Sequence, residues 1–537
     1  MLATTVSLAL GTAVPSGHVV LRDTYAPPVF FVNGHGWGHG LGLGQYGAQG
    51  YALHGWKYDR IVLHYFPGTT LGPASVSKVR VLVADGRKQV TVSSQQDFVV
   101  RDASGARYTL AAGDYTFGPG FKLQVDPTAP PQALPGPLVF SPGAWPLALD
   151  QRAYRGTLRV AAQGQKLQVV NIVGLERYLW GVVPSEMPRT WSAEALKAQA
   201  VAARSYALAQ IRGGGAFDLY DDTRNQVYGG LAAEAPTATA AVNDTAGKVV
   251  LYQGHVADTM FFSSSGGKTA SVQDVSPTAT PVPYLVSVPD PYDSISPYHN
   301  WGPFRYAARM LVRKFRVPGR LLDVQTVAGP SGRVRSLVAK GSGGDATVSG
   351  ADVRKALDLR STWFSVGVLS LTAPDAPVVY GSRARLTGLA RGVGPVVLQK
   401  LAYGRSAGAW QDVGRLSPSG GTVAPVVGPK ISTAYRMLAG QVPSGLVRVA
   451  VAPRLNLQVA ASGPGFRGRI HPFSLAGTQV SVQRLTATGW ALVASSQVRA
   501  DGVFTVTATV APGAYRARLA PGGGFVPGFS PILKVGP

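Results

Sequence analysis

Carboxylates are scarce in this sequence, so the context of each one carries information. The chain has 27 Asp and Glu among 537 residues. Glu186 lies in GVVPSEMPRTW, between a strand-like segment, LERYLWGVV, and a run of helix formers. Pro184 and Pro188 bracket it and stiffen the backbone. An acid in an apolar, proline-fixed turn ahead of a helix is placed to face a cleft. Partial desolvation there raises its pKa and keeps it protonated, the state a general acid needs. The same placement also suits a capping or ion-paired acid. Glu176, in GLERYL, and Glu194, in the first turn of the next helix, read as structural acids.

Histidines form the second concentration. His35, His39, His54 and His64 fall in one Gly- and aromatic-rich segment at 29–70. His35 and His39 are four apart but sit among glycines, whereas a metal pair at that spacing wants a helix. Glycines instead let backbone N–H groups approach a ligand closely. Trp37, Tyr46, Trp56 and Tyr65 add ring faces suited to sugars. Ser263–Ser265 precede two glycines, but the chain contains neither GxSxG nor GxxxxGK[ST]. DTRNQVYGG (222–230) is either a binding loop or a surface turn.

These residues need elements to position them. From Val76 to about Val170, KVRVLVAD, KQVTVS, DFVVRD, RYTLAA, FKLQV and GTLRVAA read as short strands. SAEALKAQAVAARSYALAQ (192–210) reads as a helix with Ser192 as N-cap, Leu196, Gln199, Ala200, Ala203, Tyr206 and Ala207 on one face, and Gly213–Gly215 as its stop. Its small side chains predict close burial. Shorter helices are expected near 233–246, 304–315 and 350–358. Beyond Pro374 helices disappear. VVLQKL (396–401) is similar to VSVQRL (480–485), and AYRMLA (434–439) to AYRARLA (514–520), so two related β modules are expected.

Composition sets the outer bounds. Lys and Arg number 51, giving a net charge of +24. That balance predicts an anionic partner. The basic residues are scattered, with no run of five and no zinc-finger or RNP1 pattern, so nucleic acid is not expected. Cysteine is absent, which excludes disulfides, thiol catalysis and cysteine-ligated metals. No 18-residue apolar run is present, so no transmembrane segment is expected. The opening MLATTVSLALGTAVPSG lacks a basic start, and 1–28 reads as an export-signal remnant or a disordered tail. With the rest of the composition, it favours an exported protein of the cell envelope or extracellular space.

Several long segments together resemble one family. VVNIVGLERYLWGVVPSEMPRTWSAEALKAQAVAARSYAL (169–208), DTRNQVYGG and FFSSSGGKTA (261–270) are similar to ordered motifs of the stage II sporulation protein D / LytB (SpoIID/LytB) family. GWGHGLGLGQYGAQGYALHGWKYDRIVLHYFPGT (36–69) resembles its GHGxGxxQxGA segment, here at the N-terminal side rather than late. That order looks like a circular permutation, and it predicts that 29–70 packs against the Glu186 domain. The resemblance spans about 29–366.

The expected fold is an α+β catalytic domain with a mainly β subdomain, as the resemblance implies, followed by two all-β sandwich-like modules that the resemblance does not cover. The expected boundaries are 29–372, with a β-rich insert at about 76–165, then 373–452 and 453–537. The resemblance implies a lytic transglycosylase acting on peptidoglycan glycan strands. Glu186 would be the catalytic acid and base, leaving 1,6-anhydro-muramyl ends. His39, Gln45, Tyr46, Arg204, Tyr206, Gln226, Tyr228 and Ser264 are the implied substrate-binding residues. No cofactor and no metal are implied: zinc ligands of some relatives have no counterpart here. The rival expectation is a noncatalytic peptidoglycan-binding protein that modifies a cell-wall amidase.

Overall fold

The computed structural model describes residues 24–74, 78–124, 128–211, 213–406 and 408–536. Most of the expected tail therefore lies outside the described residues. Positions 24–28 do not behave as a tail: Tyr25 bridges Thr372 and Ala26 is buried. The chain is strand-rich, and its two longest helices adjoin Glu186 in sequence.

The first strand, β1 (Val29–His35), leads through the glycine-rich loop into α1 (Gln45–Leu53) and α2 (Tyr58–Tyr65). A sheet of seven strands follows. Its central members are β2 (Lys78–Arg87), β3 (Thr157–Gln163) and β4 (Lys166–Gly174), and β4 pairs with both of the others antiparallel. The expected short strands form, and their alternating apolar residues fill the largest core.

Strand β4 runs directly into α3 (Leu175–Glu186). LERYLWGVV is thus helical, not strand-like as its aromatic and β-branched content suggested. Leu175, Tyr178, Leu179, Val182 and Val183 are all buried. They recur at i, i+3, i+4, i+7 and i+8, a helical stripe that outweighs local propensity. Pro184 sits inside the last turn, where it removes one backbone donor. Ser185 Oγ donates to the Gly181 carbonyl at 2.7 Å, and the Met187 N–H to Val183 at 3.0 Å, which close the helix end.

Helix α4 (Ala193–Ala209) and α5 (Pro236–Asp244) form as expected. Ser192 is the N-cap residue, although its side chain makes no capping bond. Helix α4 is buried on nearly every side. Ala195, Leu196, Ala200 and Ala203 face the large core, and Ala198, Val201 and Ala202 face a second core with α1 and α2. Alanine permits both approaches because it adds little radius. The segment 29–70 therefore packs against the Glu186 region.

Strands β5 (Asn300–Ala307) and β6 (Phe364–Thr372) flank β1. Between them lie α6 (Ala308–Phe315) and α7 (Gly350–Leu357). Strand β6 then pairs with β7 (Thr387–Arg391), so the sheet continues across the boundary expected at 372/373. The alternation of β1 explains this. Phe30 and Val32 enter the core of the 301–368 region, whereas Val29 and Phe31 enter the core formed with residues 373–449.

The C-terminal part repeats one design. Strands β8 (Val396–Ala402), β9 (Gln411–Leu416) and β10 (Thr433–Ala439) pair with β8 central. Strands β11 (Gln479–Thr486), β12 (Gly489–Gln497) and β13 (Gly513–Leu519) pair the same way. Two short strands follow β10 and β13 and pair with them in both modules.

Candidate functional site

Glu186 is the last residue of α3, so its carboxyl leaves the helix where the backbone turns extended. The loop 222–230 crosses in front of it, and the Val227 N–H donates to Oε1 at 2.6 Å. On the other side, Gln45 Nε2 donates to the Glu186 main-chain oxygen at 3.1 Å and reaches Gln199 Oε1 at 3.4 Å. Burial raises the Glu186 pKa above the usual carboxylate range, and the Val227 N–H opposes that shift in part. Tyr178 and Tyr206 feel its charge, although burial is the main cause of their raised pKa values. One partly desolvated carboxyl, held by a single backbone donor, can carry a proton to a bound oxygen and take one back.

A row of rings flanks this site. Tyr46 meets Trp191 edge-on at 4.9 Å and Tyr298 at 6.1 Å. Tyr298 meets Trp37 at 4.4 Å. The Arg360 guanidinium closes the row, 4.7 Å from the Tyr298 ring and 5.7 Å from Trp37. Trp37 is 41% exposed, and the other members are half-buried. Trp191 follows the acid in sequence. Tyr298 and Arg360 come from far along the chain; Tyr298 carried no signal beyond its residue type, and Arg360 lies in VSGADVRKALDLRSTWF (348–364), which also resembles the family.

The structure sorts the expected binding residues. Tyr46 and Tyr206 are partly open near Glu186, and Gln45 braces the acid's backbone. Gln226 is fully buried and donates to the Ala203 carbonyl at 3.0 Å, beside the Val227 donor. Four others do not face a ligand. Arg204 is completely buried, chelates Glu176 at 2.6 and 2.9 Å, and bonds the carbonyls of Val242 and Lys248. Tyr228 is 2% exposed and donates to Asn171 at 3.0 Å. Ser264 is 1% exposed and donates to Asp293 at 2.9 Å. His39 accepts from the Leu41 N–H through Nδ1 at 3.0 Å, so its Nε2–H donates to the Phe261 carbonyl, also at 3.0 Å. Both ring nitrogens are engaged, and none remains for a sugar.

Asp293 explains the Ser-Gly-Gly motif. Its carboxylate accepts from Ser264 Oγ and from the backbone N–H groups of Ser265 and Gly266, each at 2.9 Å, and His299 Nδ1 lies at 3.0 Å. The serines and glycines thus shape a loop around a buried acid. That loop pairs with the glycine-rich segment at Trp37 and Ser264. Gly36 has φ +70° and abuts the Ser264–Ser265 backbone, so a side chain there would be strained and blocked.

Comparisons with known proteins agree with this geometry. The model of the SpoIID family, described as stage II sporulation protein, matches residues 163–252. Stage II sporulation protein D of Bacillus subtilis is 33% identical over 220 residues, covering 37% of this chain and 61% of that protein. The amidase enhancer of the same organism is 42% identical over 115 residues, 21% of this chain and 15% of its own length. An uncharacterized protein of Brachyspira hyodysenteriae is 39% identical over 138 residues, 25% of this chain and 37% of that one. The chain therefore spans less than two thirds of each of these relatives. The matched residues run from the end of β3 through α3, α4 and α5 and include Glu186, and over that stretch the chain is similar to the SpoIID family.

Proposed function

We propose that this protein acts on the cell wall as a lytic transglycosylase, with Glu186 as its single acid and base. The protonated carboxyl gives its proton to the glycosidic oxygen as the C1–O bond breaks. The sugar's 6-hydroxyl then bonds to C1 and loses its proton to the Glu186 carboxylate. The product is a 1,6-anhydro end, and the acid is restored. The observation that carries this reading is the partly buried Glu186 carboxyl, raised in pKa, whose main chain is braced by Gln45, next to Tyr46 in a row of half-open rings. Similarity to the SpoIID family over residues 163–252 supports a role at the cell wall. The expected location is outside the cytoplasm, and among the described residues no helix is long and apolar enough to cross a membrane.

The test is digestion of peptide-stripped glycan strands, read by mass spectrometry. Wild type should yield anhydro-ended fragments, and Glu186→Gln should lower the rate by about 10²–10⁴-fold. Reducing-end products would instead indicate hydrolysis by two carboxylates. Asp258, whose charge also reaches Tyr206, is the acid to substitute in that event. The similarity to an amidase enhancer favours a second reading, noncatalytic binding of glycan with modulation of an amidase. Strand binding without cleavage, unchanged in Glu186→Gln, would select it.

A further inference from the structure

The two C-terminal modules repeat more than their strand order. The pairing of β8 with β9 shifts register at Leu398/Gln399, where Val413 of β9 is the extra residue, and that of β11 with β12 shifts at Val482/Gln483, where Val493 of β12 is the extra residue. Such a bulge bends the strand that carries it and increases the local twist, and in both modules the residue opposite it is a glutamine. Each of these glutamines accepts from an arginine Nε on the neighbouring strand, Arg436 to Gln399 at 2.8 Å and Arg516 to Gln483 at 2.9 Å. Each arginine also lies over a tryptophan, at 4.0 Å from the Trp410 ring and 4.1 Å from Trp490. The same three side chains are thus assembled twice, beside the same backbone irregularity in each module.

The arrangement leaves chemistry unspent. Among the described residues, Nη1 and Nη2 of Arg436 and Arg516 donate to no protein acceptor, and neither arginine has an ion-pair partner. The ring and the glutamine hold each guanidinium so that its free edge has a set direction. Such an edge matches a carboxylate or phosphate in bidentate fashion. The surroundings match too: residues 373–537 contain 17 Lys and Arg but three Asp and no Glu, which is +14 of the chain's +24.

We propose that the two Arg–Trp–Gln constellations are paired subsites for one anionic polymer, a linear polysaccharide or polyol chain bearing phosphodiester or carboxylate groups. Two linked subsites suit a repeating ligand, because the second contact forms at high effective concentration. Single-stranded nucleic acid is a poorer match. It needs open aromatic faces for its bases, and here a guanidinium covers one face of each tryptophan. This inference rests on the C-terminal modules alone and does not depend on Glu186.

The test measures binding of the full chain to immobilised poly(glycerol phosphate) and to polygalacturonate, with neutral dextran and single-stranded DNA as controls, at 50 and 200 mM salt. Wild type should bind one or both polyanions and not dextran, and the preferred one identifies phosphate or carboxylate as the recognised group. Arg436→Gln and Arg516→Gln should each weaken binding about tenfold or more as bivalency is lost. The double variant should fall to the dextran level. Arg436→Lys with Arg516→Lys keeps the charge but not the planar edge, and should recover binding only in part. Thermal unfolding of every variant separates lost binding from lost folding, and the lysine pair decides the matter if the glutamine variants are destabilised. Unchanged affinity and salt dependence in both double variants would overturn the proposal, because scattered charge would then suffice. So would tighter binding of DNA lost in the same variants.

Discussion

At the residue scale, burial sets the protonation of three groups. Glu186 is raised by burial, so the protonated acid persists to higher pH than in a solvated glutamate. If it is the general acid, kcat/KM falls as pH rises through that raised value, and the fall marks its ionisation. Asp290 is fully buried beside Asp293, and burial with that neighbouring charge raises it to about 7. Below the unfolded value the carboxyl is neutral in both states. Between that value and about 7 the folded state holds the extra proton, so stability declines as pH rises and then levels off. His39 works in the opposite sense. Burial lowers it to about 4, so folding loses stability as pH falls from the ordinary histidine range toward that value. Asp290→Asn isolates the first effect. Its thermal stability relative to wild type should grow from pH 4 to about 7 and then hold constant; parallel curves would refute the assignment.

At the element scale, α3 and α4 place the acid and are themselves tied together by Arg204 and Glu176. The guanidinium is wholly buried and its carboxylate partner is 31% exposed. Removing the arginine strands that carboxylate and two backbone carbonyls. Arg204→Met should therefore cost about 3 kcal/mol of stability, measured by urea unfolding, while activity per folded molecule persists at low temperature. Loss of activity without loss of stability would return Arg204 to the binding shell. The ring row behaves differently, because Trp37 and Tyr298 are half-open or exposed and lie beyond the acid. Alanine at either position should raise KM for long glycan strands and leave kcat nearly unchanged. A drop in kcat with constant KM would mean that the row acts on the reacting bond instead.

At the scale of the whole molecule, β1 and β6 serve two cores at once. A truncation after residue 372 would bare Val29, Phe31, Leu369 and Leu371, which are packed against residues 373–449. That fragment should aggregate or unfold non-cooperatively, whereas a fragment ending at 452 keeps this core and should unfold cooperatively. Size-exclusion chromatography and calorimetry of the two fragments check this. Much was legible beforehand in short-range pattern. The alanine-rich helix, the short strands, the repeated C-terminal strands and the unusual setting of Glu186 all follow from composition and period within about 20 residues. Facing was not legible at that range. Arg204, Tyr228 and Ser264 belong to the same motifs as Glu186, yet each turns inward to a buried partner. Tyr298 belongs to no recognised motif, and Arg360, within the family-like segment 348–364, was not singled out; both reach the ring row through the packing of distant segments. The sequence by itself determined most of the elements, though not that LERYLWGVV is helical, and where the distinctive acid lies. Tertiary structure decided which polar side chains are spent on internal hydrogen bonds and which remain open. A residue's type sets what it can bond, but only the packed neighbours determine whether that bond is already made.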